Sequence, residues 1–439
     1  MAKRIISAID IGSTKIVAVI ASIEGNTNPP QVLGVAVQPS AGLKKGVLIN
    51  IDSAIASIAT TLEAAERMAG ITTNSVYINI NGKHITSTNN KGVVATSSQD
   101  EIMVNDVFRA IESARTISIP PSREIIHVIP REFIIDTQNG IKDPVGMSGS
   151  RLEVDAHIIS GVSTSIQNVT KCVQSLGLRI DDLLFSGWAS AISCLTETEK
   201  QLGVLLLDIG GGTTSICSFV EDSITFSGCI EYGGINVTSD LAICFRTTLE
   251  AAEKLKINLP ILFHKKKPAV TTYAGNNDII KRAVDNDADL IDISLLGIPD
   301  MLKVSQKMIE KIIEARMTEI FEMCKEQIEQ IGYTTHLPAG IVITGGSALL
   351  PGVTDIARTV FGVQARIGYP QGLSGMVEEV SSPQFASVCG MILHASSTNR
   401  FDVNALKTGI TLRGSGTQKD NSKPSMMSKF KKMLGSFGN

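Results

Sequence analysis

A short pattern that occurs twice, about 200 residues apart, limits what this chain can fold into more than any other feature. In each copy an apolar run ends in an aspartate, a turn of Gly, Ser and Thr follows, and a second apolar run comes after it. The copies are Asp10-Ile11-Gly12-Ser13-Thr14-Lys15 and Asp208-Ile209-Gly210-Gly211-Gly212-Thr213-Thr214. Apolar runs flanking a short glycine-containing turn predict a β-hairpin, with strands over 4–11 and 15–23 and again over 203–208 and 215–220. The recurrence predicts two related halves.

The composition of these turns suits the binding of a polyphosphate. A turn without bulky side chains lets backbone N–H groups approach phosphate oxygens, and hydroxyls add donors. Asp10 and Asp208 could hold a hydrated Mg²⁺, which usually takes one or two carboxylates and keeps several waters. One copy alone would be an ordinary hairpin turn, whereas two facing copies would clamp a polyphosphate from both sides. Neither a Walker A loop nor a Rossmann fingerprint is present in the sequence.

A third glycine-containing segment follows a short apolar run late in the chain. It reads Ile341-Val342-Ile343-Thr344-Gly345-Gly346-Ser347. The apolar run predicts a buried strand, and the glycine pair after it would let a flat ring such as adenine lie against the backbone.

Apolar spacing predicts further elements around these segments. A helix is expected over Asp52–Met68 with Asp52 or Ser53 as its N-cap, and a long amphipathic helix over Met301–Ile331. Residues 84–161 differ in texture, with polar turns, one helix near Asn105–Thr116 and extended runs, and they are interpreted as an insertion. Further strands are predicted over Val32–Val37, Val76–Ile80 and Arg179–Phe185. Further helices are predicted over Ser163–Leu176, Ala189–Glu197, Gly352–Phe361 and Phe385–Leu393. Residues 264–300 are polar and irregular, and 407–424 are expected to form a flexible linker.

Composition excludes some classes of function. Aromatic residues make up 4% of the chain, with one tryptophan, Trp188, so base stacking on aromatic side chains is not expected, and nucleic acid is not an expected partner. The seven cysteines are scattered without a CxxC pair, which argues against a disulfide framework or a zinc site. The charge is uneven, at +6 from Lys407 onward and −9 before it, so the basic tail is expected to have an anionic partner of its own.

The tail has the pattern of a helix that lies in a membrane surface. At about 100° per residue, the apolar residues of 425–438 fall within a stripe of about 120°, and the lysines fall outside it. The stripe consists of Met426, Met427, Phe430, Met433, Leu434 and Phe437, and the lysines are Lys429, Lys431 and Lys432. A helix that docks on the body of the protein or on a partner would show a similar stripe.

The two hairpins and the glycine pair, in this order, resemble the phosphate 1, phosphate 2 and adenosine motifs of the actin, hexokinase and Hsp70 ATPase superfamily. The resemblance implies ATP and Mg²⁺ as cofactors, with Asp10 and Asp208 near the metal through water. The implied nucleotide contacts are Asp10, Gly12, Ser13, Thr14, Lys15, Asp208, Gly210, Gly211, Gly212, Thr213, Thr214, Gly233, Gly234, Asn236, Glu253, Lys256, Gly345, Gly346 and Ser347. Glu253 and Lys256 would contact ribose and base, although an i, i+3 pair of this kind could also be a surface ion pair.

Within this superfamily the chain resembles the FtsA family of bacterial cell-division proteins, from about Ile5 to His394. The similarity rests on NGKHI at 81–85, HVIPREF at 127–133, GIKDPVGMSG at 140–149, DIGGGTTSI at 208–216 and ITGGSALLPGV at 343–353. It implies an α/β, actin-like two-domain ATPase fold, a duplicated RNase H-like core with an inserted 1C subdomain and a C-terminal amphipathic helix. The implied ranges are 1–83, 162–198 and 363–396 for 1A, 84–161 for 1C, 199–230 and 306–362 for 2A, 231–305 for 2B, 407–424 for the linker and 425–438 for the helix.

The resemblance also implies a function. Such a protein binds ATP, polymerises into actin-like filaments, anchors FtsZ at the cytoplasmic face of the inner membrane at the septum, and recruits later division proteins through 1C. The FtsZ C-terminal peptide would dock on 2B. Phe185–Leu195, which resembles the connecting helix, offers no Glu or Gln clearly placed to orient an attacking water, so the chain is expected to be at most a slow ATPase. A pilus-assembly-type actin-like protein and a small-molecule kinase are the alternatives.

Overall fold

The computed structural model describes residues 4–24, 29–98, 100–264, 289–293, 303–330 and 337–397. The predicted linker at 407–424, the amphipathic helix at 425–438 and most of the polar run at 264–300 lie outside the described residues. Among the helices that are described, none is both long enough and apolar enough to cross a lipid bilayer.

Two sheets form the core of the described residues, and five strands of the first have the same order as the five strands of the second. The first contains β1 (Arg4–Ile11), β2 (Lys15–Ile23), β3 (Gln31–Pro39), β6 (Ser75–Ile80), β11 (Arg179–Phe185) and β19 (Ser374–Gly375), in the order β11-β6-β1-β2-β3-β19. The second contains β12 (Val204–Ile209), β13 (Thr214–Val220), β14 (Ser223–Ile230), β17 (Ile341–Thr344) and β18 (Ala365–Ile367), in the order β14-β13-β12-β17-β18. In both, two antiparallel hairpins lie beside two parallel strands. The predicted duplication is confirmed.

Helices cover both faces of the first sheet, which explains why its central strands are apolar throughout. Along β1, Ile6 and Ala8 pack on one side with the last described helix, and Ile9 and Ile11 pack on the other side with the first helix. The helices are α1 (Ile51–Ala69), α2 (Val104–Arg115), α3 (Ser163–Gln174), α4 (Ser186–Cys194), α5 (Glu197–Leu202), α6 (Gly234–Phe245), α7 (Leu249–His264), α8 (Gln306–Glu329), α9 (Val353–Phe361), α10 (Val377–Val380) and α11 (Ala386–Ser396). The core of the second half is formed by its sheet with α6, α7, α8 and α9.

The remaining short strands lie in two small hairpins. One consists of β4 (Leu43–Lys44) and β5 (Val47–Leu48), and the other of β15 (Leu290–Asp292) and β16 (Lys303–Ser305).

Several predicted boundaries are wrong. The N-cap of α1 is Asn50, whose Oδ1 accepts the Ser53 N–H at 2.9 Å, and not Asp52 or Ser53. Several polar residues precede this apolar pattern, and the pattern alone does not say which of them has extended backbone. The helix predicted over 301–331 begins at Gln306, because 303–305 pair with β15 and Ser305 caps the helix. Residues 365–367, predicted with the first half, form β18 of the second sheet.

The insertion is built around a four-stranded sheet, and its predicted helix near Asn105–Thr116 is α2. Its strands are β7 (Thr86–Ala95), β8 (Arg123–Ile135), β9 (Gln138–Ile141) and β10 (Arg151–Val162), in the order β7-β10-β8-β9. Helix α2 packs on one face, so closely that a Cβ on Gly92 would lie 2.1 Å from the carbonyl oxygen of Ala110. Strand β7 was missed because it is an edge strand whose sequence, TSTNNKGVVA, is mostly polar and exposed.

The insertion contacts both halves of the molecule. The Ser87 hydroxyl donates to the Ser227 carbonyl at 2.8 Å and accepts its N–H at 2.9 Å, which joins β7 to β14. On the other side, His127 Nε2 of β8 accepts the Phe185 N–H at 3.0 Å. The Trp188 ring lies between the rings of His127 and His394, with centroids 4.5 and 5.1 Å away. The insertion is therefore fixed to the junction of β11 and α4 as well as to the second sheet.

Replacing Asp106 by alanine is expected to lower the free energy of unfolding by about 2 kcal/mol, mainly in the insertion. Its buried carboxylate accepts the Ser97 hydroxyl at 2.6 Å and the Met103 N–H at 3.0 Å, and it pairs with Arg109. Burial would raise the pKa of Asp106, but these hydrogen bonds outweigh it and lower the pKa to about 2. This contribution is complete above about pH 4 and is lost as the pH falls toward 2.

Hydrogen exchange of α2 in the full chain, compared at pH 6 and in acid, measures this effect. Glu112→Ala, on the exposed surface of the same helix, is the control. Equal protection of α2 in wild type and Asp106→Ala would contradict the prediction.

Candidate functional site

The two predicted turns face each other across a cleft between the halves. In both turns the N–H of the first glycine donates to the backbone carbonyl three residues later. The Gly12 N–H donates to the Lys15 carbonyl at 3.1 Å, and the Gly210 N–H donates to the Thr213 carbonyl at 2.9 Å. The turns approach so closely that a Cβ on Gly211 would lie 2.3 Å from Thr14 Oγ1. Only glycine fits there, which explains the composition of the second turn.

Two adjoining cavities lie at these turns. The larger cleft, of about 710 Å³, is walled by both turns, by α6 and α7 and by residues 346–350. The smaller cavity, of about 70 Å³, lies at the ends of β1 and β12 and contains the two aspartates. The predicted residues that line one or both are Asp10, Gly12, Ser13, Thr14, Lys15, Asp208, Gly210, Gly211, Thr213, Glu253, Lys256, Gly345, Gly346 and Ser347.

The other predicted residues lie behind the second turn and do not line either cavity. The Thr214 hydroxyl donates to the Tyr232 carbonyl at 2.8 Å. The Asn236 side chain accepts the Gly233 N–H at 3.0 Å and so caps α6, and the Gly234 N–H donates to the Gly210 carbonyl at 2.9 Å. With Gly212, whose Cβ would lie 3.0 Å from Ser13 Cβ, these residues determine the shape of the turn.

The two carboxylates are partly buried and held by neutral side chains. Asn79 Nδ2 donates to Asp10 and to the Ser186 hydroxyl, and the Ser190 hydroxyl donates to Asp208 Oδ2 at 2.6 Å. Burial and, second, the charge of Asp208 raise the pKa of Asp10 to about 6. Burial also raises the pKa of Asp208.

The cation of the site is Lys15, whose Nζ donates to the Gln384 side-chain oxygen at 2.8 Å and to its carbonyl at 3.2 Å. Burial lowers the pKa of Lys15 to about 8, against the opposing effect of the two aspartates.

This donor set fits a hydrated divalent cation. Two partly buried carboxylates in one cavity, each with a raised pKa, are stabilised in their charged form by a metal ion. Over the described ranges there is no cluster of three or more His, Cys, Asp or Glu side chains that could hold a metal ion. Mg²⁺ suits the arrangement because it takes one or two carboxylates and keeps water. When bound, it would neutralise the charge of a polyphosphate.

Glu253 and Lys256 lie on α7 at the wall of the larger cleft. Lys256 Nζ donates to Glu253 at 2.7 Å, to the Thr238 hydroxyl at 2.8 Å and to the Gly234 carbonyl at 3.0 Å. The Lys256 side chain is only 11% exposed, so the pair is not an ordinary surface ion pair. It ties α7 to the start of α6 and thereby fixes the wall of the cleft.

The structure also brings in polar residues that the sequence analysis missed. They are Asn79, Asn81, Ser186, Ser190, Gln384 and Ser387. Asn81 crosses the cleft, where its Nδ2 donates to Thr213 Oγ1 at 3.1 Å. Asn79 lies within the predicted strand Val76–Ile80 and Asn81 follows it, and a pairing of that strand with β1 would have placed both at the site. Gln384 and Ser387 reach the site only because α11 packs under the first sheet, which no local pattern indicates.

Comparison with known proteins supports the family resemblance. A family model described as "SHS2 domain inserted in FTSA" matches residues 82–160, and one described as "Cell division protein FtsA" matches residues 205–390. The cell division protein FtsA of Borreliella burgdorferi is 36% identical over 403 residues, 92% of this chain and 93% of that one. The FtsA of Pseudomonas aeruginosa is 34% identical over 391 residues, 89% of each chain.

Among solved structures, a chain of a PilM–PilN type IV pilus biogenesis complex is similar in fold. The TM-score is 0.60 at 16% sequence identity, over 89% of this chain and 98% of that one. At this identity the likeness shows the fold alone, the α/β actin-like ATPase fold that the sequence predicts. The share of the sequence matched, the identity to curated relatives and the matched insertion together establish that this chain belongs to the FtsA family of cell division proteins.

Proposed function

We propose that this chain binds Mg-ATP between the two turns and, as a polymer at the cytoplasmic face of the inner membrane, anchors FtsZ filaments at the septum. The observation that carries the proposal is the pair of opposed glycine turns, one from each half, with an aspartate beside each in one cavity. Backbone donors on both sides suit a polyphosphate, and the larger cleft has room for a nucleoside.

ATP binding would favour one arrangement of the two halves. The turns belong to different sheets, so phosphates that contact both turns would shift the equilibrium toward the closed form of the cleft. Closure is the proposed switch between monomer and filament, and it needs no turnover. We propose at most slow hydrolysis, since α4 supplies only Ser186 and Ser190 near the carboxylates.

Membrane attachment is proposed for the tail. Burial of one Phe, Leu or Met contributes about 2 kcal/mol, and each lysine near an anionic surface about 1 kcal/mol. A helix of about three turns binds weakly as a single copy, and a filament adds avidity. The proposed partners are a second copy of the chain, the FtsZ C-terminal peptide on residues 231–305, later division proteins on the insertion, and the anionic membrane.

The test is co-sedimentation with anionic liposomes, with and without Mg-ATP. The full chain is expected to pellet, more so with Mg-ATP, and a chain truncated after Pro424 is expected to stay in the supernatant. Phe430→Glu in the full chain should weaken liposome binding about 30-fold, because it removes about 2 kcal/mol of burial. Its ATP affinity should match that of the wild type.

Retention of full membrane binding by Phe430→Glu would contradict the proposed role of the tail. A full chain that does not pellet with liposomes would favour the pilus-type or kinase alternative, and a screen for ATP-dependent phosphorylation of small molecules would then test the latter.

A further inference from the structure

The hydroxyl of Ser387 has no hydrogen-bond partner although it is buried. Ser387 is 5% exposed, and its Oγ contacts no donor or acceptor within the described part of the chain. It lies in the first turn of α11 and lines the smaller cavity with Asp10 and Asp208. Because an unpaired buried hydroxyl costs free energy, a ligand in this cavity would relieve the cost.

Other groups on the same wall favour an anionic ligand. Helix α11 continues from a 3₁₀ turn, in which the Phe385 N–H donates to the Ser382 carbonyl and the Ala386 N–H to the Pro383 carbonyl, and the aligned peptide dipoles give the start of the helix partial positive charge. Gln384, just before the helix, holds the Lys15 ammonium against this wall through its side-chain oxygen. A hydroxyl, the start of a helix and a cation thus meet in the cavity that also contains the two carboxylates.

The connection between the two cavities indicates which part of a nucleotide would arrive there. The residues that line both include Ser13, Thr14 and Lys15 of the first turn and Gly210 and Gly211 of the second. A nucleoside in the larger cleft would therefore pass its phosphates between the turns. The end of the phosphate chain would reach the smaller cavity.

We propose that Ser387 donates a hydrogen bond to the terminal phosphate of a bound nucleoside triphosphate, and that Lys15 turns from Gln384 to the same group. Ser387 then distinguishes a triphosphate from a diphosphate, whose phosphates end between the turns. The inference rests on the proposed nucleotide site and names the residue that makes that site sensitive to the third phosphate.

The test is isothermal titration calorimetry of the full chain with Mg-ATP and Mg-ADP. Ser387→Ala is expected to weaken Mg-ATP binding about tenfold, because one hydrogen bond to a charged acceptor is lost. Its affinity for Mg-ADP should change less than about twofold. Ser387→Cys, which keeps a weaker donor, should fall between. Ser22→Ala is the matched control, since Ser22 is also buried without a partner but lies at the far end of β2.

An unchanged ratio of the two affinities in Ser387→Ala would overturn this inference and leave the nucleotide site intact. A wild-type chain that binds neither nucleotide would instead refute the proposed site. If Ser387 is only structural, Ser387→Ala would shift the thermal unfolding temperature without nucleotide and leave the affinity ratio as it is.

Discussion

Replacing Gly390 by alanine is expected to lower the free energy of unfolding by about 3 kcal/mol, at the upper end of the usual cost of overpacking. Gly390 lies in α11 where this helix crosses α4, and a Cβ there would lie 1.7 Å from the carbonyl oxygen of Ala189. The obstacle is backbone, so the helices must separate. In a helix without such a contact the same substitution stabilises by about 1 kcal/mol, so the sign of the effect is diagnostic.

Urea unfolding of the full chain measures this change. Ser396→Ala, in the last turn of the same helix, controls for helix propensity and should change stability by less than about 0.5 kcal/mol. A Gly390→Ala chain as stable as the wild type would show that α4 and α11 can move apart at little cost. Because α4 carries Ser186 and Ser190, such a movement would also disturb the two carboxylates.

Asp10→Asn is expected to weaken Mg-ATP binding about 100-fold, because it removes one of the two partly buried charges that would face the metal. Binding of ATP without Mg²⁺ should not fall, and it should improve slightly because one negative charge facing the phosphates is lost. Calorimetric titrations with Mg²⁺ and with EDTA separate the two effects. Equal losses in both conditions would indicate a damaged site and would contradict a role in metal binding.

The same variant has a predicted pH dependence without metal. The pKa of Asp10 is raised to about 6 from 3.8, so the folded protein binds this proton more tightly than the unfolded chain. The contribution of the protonated Asp10 carboxyl to the free energy of unfolding is complete below about pH 4 and is lost as the pH rises through about 6. Asp10→Asn does not lose it, so its metal-free unfolding temperature should exceed that of the wild type above pH 6. Asp52→Asn, on the exposed end of α1, is the control.

The parts of the fold that follow from local patterns could be predicted from the sequence. The aspartate–glycine hairpins, the helix after them and the buried strand before Gly345 all have a repeating apolar pattern, and their duplication implied two halves. Strand β7 could not be predicted in this way, because an exposed edge strand need not be apolar. The cap at Asn50 was missed because several polar residues compete at that end of the helix.

The candidate site was predictable where one segment supplies several groups, and not where distant segments meet. Asp10 and Lys15 belong to one turn, and their chemistry can be seen in the sequence. Gln384 reaches Lys15 from 369 positions away, and Asn81 reaches Thr213 from 132. Such contacts depend on how α11 and β6 pack, which is set by tertiary contacts and not by local propensity.

The position of Trp188 gives the protein a built-in optical reporter. It is the one tryptophan of the chain, and its ring contacts His127 of the insertion on one side and His394 of α11 on the other. Selective excitation of the indole therefore observes a single place, one of the two at which the insertion is attached to the core. A ligand or partner that moves the insertion changes the imidazoles around this emitter, so its fluorescence would record that movement in the unlabelled protein.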